Sequence, residues 1–439
     1  MKRVPLDPGL DPYSLFAASR DDHPHAFILE SLSGPARLAE RTFVGFDPEM
    51  IISYRAGVLR SNGETIKTDR PIAALRSILA KHDASGIPGR YVGGLVGYVS
   101  YEFVRNLDSV PAHADSPFPE FEFGLYLDGV IVDHVLRRAE YFSHGRSRVE
   151  DLPKAAKTEP ELHADPPKPQ IGQGRFMEAV GTAKEAIAEG DAFQVVLSRR
   201  DYGRMTGDPL AFYEALRAMN PSPYMYYLDF GVRRVIGASP EMLLRVEDLT
   251  ATTFPIAGTR PSGTTLPETE RFRRELLADE KERAEHNMLV DLGRNDLGKV
   301  CRFGSVRVPQ YMSVERYSHV QHLVSRVEGE LAPGRDSLDA FAAMFPAGTV
   351  SGAPKPRAME ILHALEGTAR GPYAGVVGYL SLNGNMDTAI AIRTLFADGP
   401  TYYMQAGAGI VADSDPAREW METEQKLEGL RVALREAAV

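Results

Sequence analysis

The sequence predicts an α+β protein with much antiparallel sheet, on three observations. The first 147 residues carry apolar segments broken by Gly and rich in β-branched residues, which favour strands with close backbone contacts. Beyond them helical and strand signals are mixed, without the regular alternation of a βαβ winding. The composition, 43% hydrophobic and 25% charged over 439 residues, is that of an ordinary globular chain with room for about two to four domains and a sizeable core.

Taken in order, FILES at 27–31, RTFVGFDP at 41–48 and YVGGLVGYVSYEFV at 91–104 read as strands. The stretch 148–174, RVEDLPKAAKTEPELHADPPKPQIGQG, is rich in Pro and charge and has no apolar period. It reads as a linker or long surface loop dividing an N-terminal region, 1–147, from a C-terminal region, 175–439. Past it, FMEAVGTAKEAIAEG is a helix that stops at Gly190, and FQVVLSRR is the strand that follows. Thr265, Leu266, Pro267 and Glu268 fit a capping box and open one long helix that continues through ERFRRELLADEKERAEHNMLVDL until Gly293. Ser414, Asp415 and Pro416 open another, running through AREWMETEQKLEGLRVALREAA.

Lys+Arg 50 against Asp+Glu 60 leaves a formal net charge of −10, which argues against a nucleic-acid surface and for a small-molecule ligand. The single cysteine, Cys301, excludes a disulfide framework and a Cys₄ or Cys₂His₂ zinc site, and it suits a reducing cytosol. The opening MKRVPLDPGLDPYSL has no apolar run behind its basic residues, and no stretch of eighteen apolar residues occurs. A cytoplasmic protein without a membrane span is expected.

Glu282 and Glu285 are three apart on the first long helix, as are Glu419 and Glu422 on the second, with Lys426 one turn further on; each pair shares a helix face. Brought together, four carboxylates need a cation, and all-oxygen ligation suits Mg²⁺ better than zinc. Left apart, they are solvated helix faces. FPAGTVSGAPKPRAMEIL places Gly348, Thr349, Ser351 and Gly352 before a helix start at Pro354, where free N–H groups can hold an anion. Gly407, Ala408 and Gly409 follow a strand-like stretch and allow a ligand carboxylate to reach backbone N–H groups. Each glycine segment alone is more readily a turn or packing contact, and neither has P-loop or Rossmann spacing. Arg393, inside the apolar run AIAIRTLF, needs a partner, either a structural carboxylate or a ligand's. His322 in VQHLVSRVEG reads by itself as a core histidine, and Glu241, Gln194 and Tyr373 are undistinguished singly.

Six longer motifs change these readings: PIAGTR at 255–260, ERAEHNMLVDLGRNDLG at 282–298, FPAGTVSGAPKPRAME at 345–360, GPYAGVVGY at 371–379, NGNMDTAIAIRT at 383–394 and QAGAGIVADS at 405–414. Together, and in this order, they resemble the chorismate-utilising enzymes, most closely the component I subunits of anthranilate synthases. The fold expected is one of packed antiparallel β-sheets, β-sandwich-like and surrounded by helices, with the active site in a cleft of the catalytic region 175–439. The resemblance implies a lyase that converts chorismate and ammonia to anthranilate and pyruvate for tryptophan biosynthesis. It also implies that Glu282, Glu285, Glu419 and Glu422 form an Mg²⁺ site holding the ring carboxylate. Arg393, Tyr373, Lys426 and the segment Gly407, Ala408, Gly409 would serve substrate binding, the enolpyruvyl carboxylate in particular. Glu241 would be the general acid at the C4 hydroxyl, and His322 with Thr349 would serve proton removal and pyruvate elimination.

Two positions discriminate within the family. Isochorismate and salicylate synthases carry Lys where Gln194 stands, as the base that activates water; an amide cannot be that base, so ammonia is the better nucleophile. Aminodeoxychorismate synthases often carry a nucleophilic Lys at the position of Ala257. Such an enzyme of the folate pathway stays the alternative, together with a catalytically dead paralogue that senses tryptophan. Ser262 departs from the Arg common after GTRP. Cys301 sits in no context for a glutaminase nucleophile, so a separate glutamine amidotransferase subunit, component II, is the expected partner. Leu29, Glu30 and Ser31, with Asn220, Pro221, Pro223, Met225 and Tyr226, resemble the tryptophan-binding segments of anthranilate synthases, and feedback inhibition is expected, with Glu30 as the acid for the α-amino group. The N-terminal region 1–147 would then be regulatory.

Overall fold

The structure, a computed structural model, describes residues 1–32, 40–153, 159–316 and 320–439. The Gly-broken apolar segments become strands inside sheets: Phe27–Glu30, Arg41–Gly45 and Gly94–Val99. At two positions in the last of these only glycine fits. A Cβ on Gly94 would lie 2.1 Å from the Leu380 carbonyl oxygen and one on Gly97 would lie 2.0 Å from that of Glu122, because strands press in from both sides.

Among the described residues the strands assemble into two sheets, of thirteen and twelve strands, with antiparallel pairing throughout. The first includes Phe27–Glu30, Tyr224–Phe230, Arg233–Ser239, Thr394–Asp398, Thr401–Ile410 and Gln194–Gly207 in that spatial order. The second includes Ile256–Pro261, Val320–Glu330, Thr250–Thr253, Met242–Glu247, Met386–Ile390, Val376–Ser381 and Gly94–Val99. Phe43, Tyr226 and Phe396 of the first sheet meet Tyr98, Phe123 and Tyr379 of the second in one apolar core. Each such side chain removed from water contributes about 1.5–3 kcal/mol. On its other face the first sheet buries Ile28, Val44 and Ile236 under the helices Pro12–Asp22, Leu210–Met219 and Pro416–Ala437. The α+β sandwich with outer helices is the observed fold.

The stretch 148–174 separates two regions in sequence only. Phe27–Glu30 pairs with Tyr224–Phe230, and Gly94–Val99 pairs with Val376–Ser381, so the segments before and after it share both sheets. Its own described residues add edge strands, Leu162–Ala164 and Lys168–Pro169, along Gln194–Gly207 instead of forming a free linker. The long helix expected from Thr265 is two helices, Leu266–Ala278 and Glu280–Gly298. Asp279 breaks it: its backbone is extended, and its carboxylate accepts N–H bonds from Lys281 and Glu282, capping the second helix. Gly293 does not end that helix but sits within it, packed toward Thr253.

The chain passes between the sheets several times, and two of these crossings are neighbours. Arg233–Ser239 leads through Pro240 and Glu241 into Met242–Glu247, and Met386–Ile390 leads through Arg393 into Thr394–Asp398. The crossings are tied together, Ile390 N–H to Glu241 O at 3.0 Å and Ala238 N–H to Arg393 O at 3.1 Å. Arg393 takes φ +53° there, a backbone strain unusual outside glycine that recurs at functional sites.

Candidate active site

At these crossings lies a cavity of about 250 Å³, walled by both sheets and by three helical segments. Gln194, Gln405 and Gly407 come from the first sheet; Ala257, Thr259 and His322 come from the second. Thr349 enters on the short helix Gly348–Ser351, Glu285 on Glu280–Gly298 and Lys426 on Pro416–Ala437. Glu241, Tyr373 and Arg393 complete it from the connections. Residues spread over more than two hundred positions of the chain thus face one space.

Burial holds the Glu241 carboxyl up at about 7, against an ordinary 4.5, so near neutrality much of it carries a proton. Thr349 and Lys426 pull in the opposite direction and do not overcome burial. The Thr349 hydroxyl, beside that carboxyl, is buried without a hydrogen-bond partner of normal geometry. So is the Gln194 side-chain oxygen, while its amide lowers the pKa of the neighbouring Glu285. Two orphaned polar atoms in one polar cavity fit a polar ligand.

His322 Nδ1 lies 2.8 Å from Gly258 O. A carbonyl only accepts, so Nδ1 carries the hydrogen and Nε2 is the basic nitrogen of the neutral ring. Burial, then the Arg393 charge, keeps its pKa below the ordinary value. Arg393 is exposed to the cleft yet surrounded by protein, which also lowers its pKa. Among the described residues no carboxylate forms an ion pair with it, although the Glu422 charge acts on it from further off, so its fork is available to an anion. Tyr373 is 2% exposed, and its hydroxyl would stand 3.0 Å from a Cβ on Gly407.

The glycine segments behave differently from one another. Beyond Met404, Thr401–Ile410 pairs with Gln194–Gly207 alone, so one edge of 405–410 is open to the cavity side. Gly407 lines the cavity and its carbonyl takes Lys426 Nζ at 2.8 Å. Gly409 makes room for the Gln194 amide, 2.4 Å from where a Cβ would stand. Ala408 turns away, buried with Val180 and Leu197 on the opposite face. The helix start at Pro354 contributes no cavity wall; Lys355 turns to Asp296 at 2.6 Å, and Gly352 pairs with Val195.

Of the four acids Glu285 lines the cavity, and the charges of the others act on it or on one another. Glu285 is raised by burial and then by Glu282 and Glu422; Glu419 is raised by burial and then by Glu422. Lys426 sits 2.7 Å from Glu422 and Arg260 sits 3.2 Å from Glu282, while Lys281 acts on both Glu285 and Glu419. No three of the described acids or histidines converge tightly enough to form a ready-made metal cage. The donor set is nevertheless all oxygen with mutual repulsion, which fits a hard divalent cation.

The sequence matches the chorismate binding enzyme family over residues 24–431. The chain belongs to that family. It is 47% identical to anthranilate synthase component 1 of Methanothermobacter marburgensis, over 96% of this chain and 92% of the relative. With the corresponding protein of Streptomyces coelicolor identity is 43%, over 98% and 88%. The crystal structure of anthranilate synthase component I from Streptococcus pneumoniae superposes with a TM-score of 0.82 at 38% identity, over 90% of this chain and 92% of that one. The menaquinone-specific isochorismate synthase of Escherichia coli shares the fold, TM-score 0.77 at 22% identity, over 99% and 94%.

This family member has a second, smaller cavity between the sheets, of about 50 Å³, lined by Leu29, Glu30, Ser31, Met225 and Tyr226 with Tyr224, Arg245 and Asp387. Asn220, Pro221 and Pro223 are not among its walls; Asn220 ends the helix Leu210–Met219, and Pro223 O accepts the Ser31 hydroxyl at 2.7 Å. Glu30 lines this cavity, but its carboxylate is engaged elsewhere. Its carboxylate accepts from Tyr213 at 2.6 Å and from Arg217 at 2.9 Å, on the outer face of the sheet. Strand alternation sends Phe27 and Leu29 inward between the sheets and Ile28 and Glu30 outward. Asp387 is a second acid on the cavity wall, 2.7 Å from Arg245 and bonded by the Tyr224 hydroxyl at 3.1 Å. Gln405 was not singled out from sequence, since nothing in QAGAG marks its amide as a cavity wall. Cys301 is buried, which pushes its thiol up to about 11 and makes it a poor nucleophile. Ser262 is also buried, its carbonyl accepting the Thr269 hydroxyl; nothing in the structure says what an Arg there would change. No described helix is long and apolar enough to cross a membrane.

Proposed function

We propose that this chain is the synthase subunit that aminates chorismate and eliminates pyruvate to give anthranilate, with ammonia from a separate glutaminase subunit. One observation carries the reading: a carboxyl held protonated near neutrality, Glu241, shares a cavity with an unpaired arginine fork, Arg393, and a neutral histidine, His322. Chorismate is a dianion with a poor leaving group at C4, so it needs anion holders, an acid and later a base.

Arg393, Tyr373 and the open strand edge at 405–409 hold the enolpyruvyl carboxylate. Glu241 gives its proton to the C4 hydroxyl, which leaves as water while ammonia bonds to C2. His322 Nε2 then takes the C2 proton, and pyruvate leaves with its enol carbon protonated. The sum is chorismate plus ammonia giving anthranilate, pyruvate and water. Glu282, Glu285, Glu419 and Glu422 would hold Mg²⁺, which neutralises the ring carboxylate and withdraws charge from the ring when bound. Gln194 offers no base for water and Ala257 no amine for C2, which favours ammonia as nucleophile and the ortho product. The buried, high-pKa Cys301 supports an ammonia source outside this chain, and the inter-sheet cavity offers room for a feedback ligand, read here as tryptophan; the proposed site of action is the cytoplasm.

The test is incubation with chorismate, Mg²⁺ and ammonium chloride at alkaline pH, following anthranilate fluorescence and pyruvate. Both products are expected, and glutamine should replace ammonium only when a glutaminase subunit is added. Aminodeoxychorismate without pyruvate would assign the chain to the other amination.

A further inference from the structure

Behind the cavity wall lies a guanidinium that none of the chemistry above uses. Arg370 is 2% exposed, a costly place for a charge unless its donors are matched. Nε and Nη2 meet Glu366 at 2.7 and 2.6 Å, Nη1 donates to Val350 O at 2.6 Å, and Nη2 donates to Val196 O at 2.8 Å. The fork also lies over the Tyr101 ring, with the Tyr373 ring 5.8 Å away.

These partners belong to separate walls of the cavity. Val350 follows Thr349, Val196 is two residues along the strand from Gln194, and Tyr373 enters from the loop after Arg370 itself. Glu366 carries the tie further. It accepts the Ser198 N–H at 2.8 Å and the Ser198 hydroxyl at 2.6 Å, and that hydroxyl accepts the Gln405 amide at 2.7 Å. One ion pair thus spans the short helix with Thr349, both strands that supply Gln194 and Gln405, and the Tyr373 loop.

We propose that Arg370 is a positioning residue for this reaction: paired with Glu366, it sets the spacing of Thr349, Gln194, Gln405 and Tyr373 around the substrate without touching it. The proposal rests on the reaction read above. A planar fork is required because the two carbonyls and the carboxylate lie in different directions; a lysine ammonium keeps the charge opposite Glu366 but cannot reproduce the fork. Of the groups read above as holding the substrate's carboxylates, Tyr373 and the strand edge at 405 are anchored by it, while Arg393 and the acidic helices are not.

The experiment compares wild type, Arg370→Lys, and the double variant Arg370→Met with Glu366→Gln, which leaves no unpaired buried charge. Turnover is followed as chorismate loss, with products identified separately, so that an unexpected product overturns the proposed reaction and leaves the comparison of variants intact. Arg370→Lys should lower kcat about 10²-fold, the cost of a misplacement near 1 Å, while KM for chorismate rises by no more than about tenfold because Arg393 stays in place. The double variant should regain most of the wild-type melting temperature and keep the low kcat. A kcat for Arg370→Lys within about threefold of wild type, or a kcat that returns with the melting temperature in the double variant, would overturn the assignment.

Discussion

Replacing Glu241 by Gln tests the acid directly, because Gln has the shape of a protonated carboxyl and cannot ionise. In the folded protein burial raises this group from 4.5 to about 7. At 1.36 kcal/mol per pH unit, that difference corresponds to about 3 kcal/mol. The sign follows from proton counting. Between these two values the folded state holds a proton that the unfolded state has released, so wild-type stability is fully present below pH 4.5, falls as pH rises, and levels off above about 7. The variant lacks that slope. Denaturant unfolding of metal-free protein should therefore show Glu241→Gln and wild type equally stable near pH 4.5, with the variant gaining up to about 3 kcal/mol by pH 8. Its kcat should fall by about 10²–10⁴-fold, the usual worth of a positioned acid, while wild-type kcat should decline on the alkaline side of about 7. Parallel stability curves for the two proteins from pH 4.5 to 8 would refute a neutral Glu241.

Glu285→Gln and Glu422→Gln each remove one charge from the acidic cluster. Calorimetry should show weaker Mg²⁺ binding, and turnover should fall by orders of magnitude, while the melting temperature of the metal-free protein holds or rises as repulsion is relieved; near-normal activity at low Mg²⁺ would return them to plain surface acids. Gln194→Lys supplies a base beside Glu285, and chromatography should detect traces of isochorismate from water addition. Ala257→Lys places an amine in the cavity wall and should suppress anthranilate; unchanged output would put residue 257 outside the reacting centre. Glu30→Gln weakens the bonds to Tyr213 and Arg217 and should cost stability, read in the melting temperature, more than it changes tryptophan binding, because its carboxylate points away from the inter-sheet cavity.

The sequence by itself determined what is local. Glu282 with Glu285 and Glu419 with Glu422 share faces because helical spacing alone puts them there, and Asp415 caps its helix through the Arg418 N–H at 2.9 Å as short-range chemistry requires. The glycines of Gly94–Val99 declared close strand contact before any partner strand was known. The resemblance of six motifs then named most of the cavity's residues. What the tertiary structure decided is long-range. Asp279 splits a continuous helical pattern because its carboxylate caps the following helix better than the helix can run through it. Glu30 faces Arg217 because both faces of its strand are buried, and alternation says which residues share a face but not which face meets the ligand. Arg393 lacks a carboxylate because it stands where the chain changes sheets. Arg370 takes its carboxylate from Glu366, four residues back, a neighbour the sequence already offers; its remaining partners, the carbonyls of Val350 and Val196, arrive from elements distant along the chain, which no window of sequence contains.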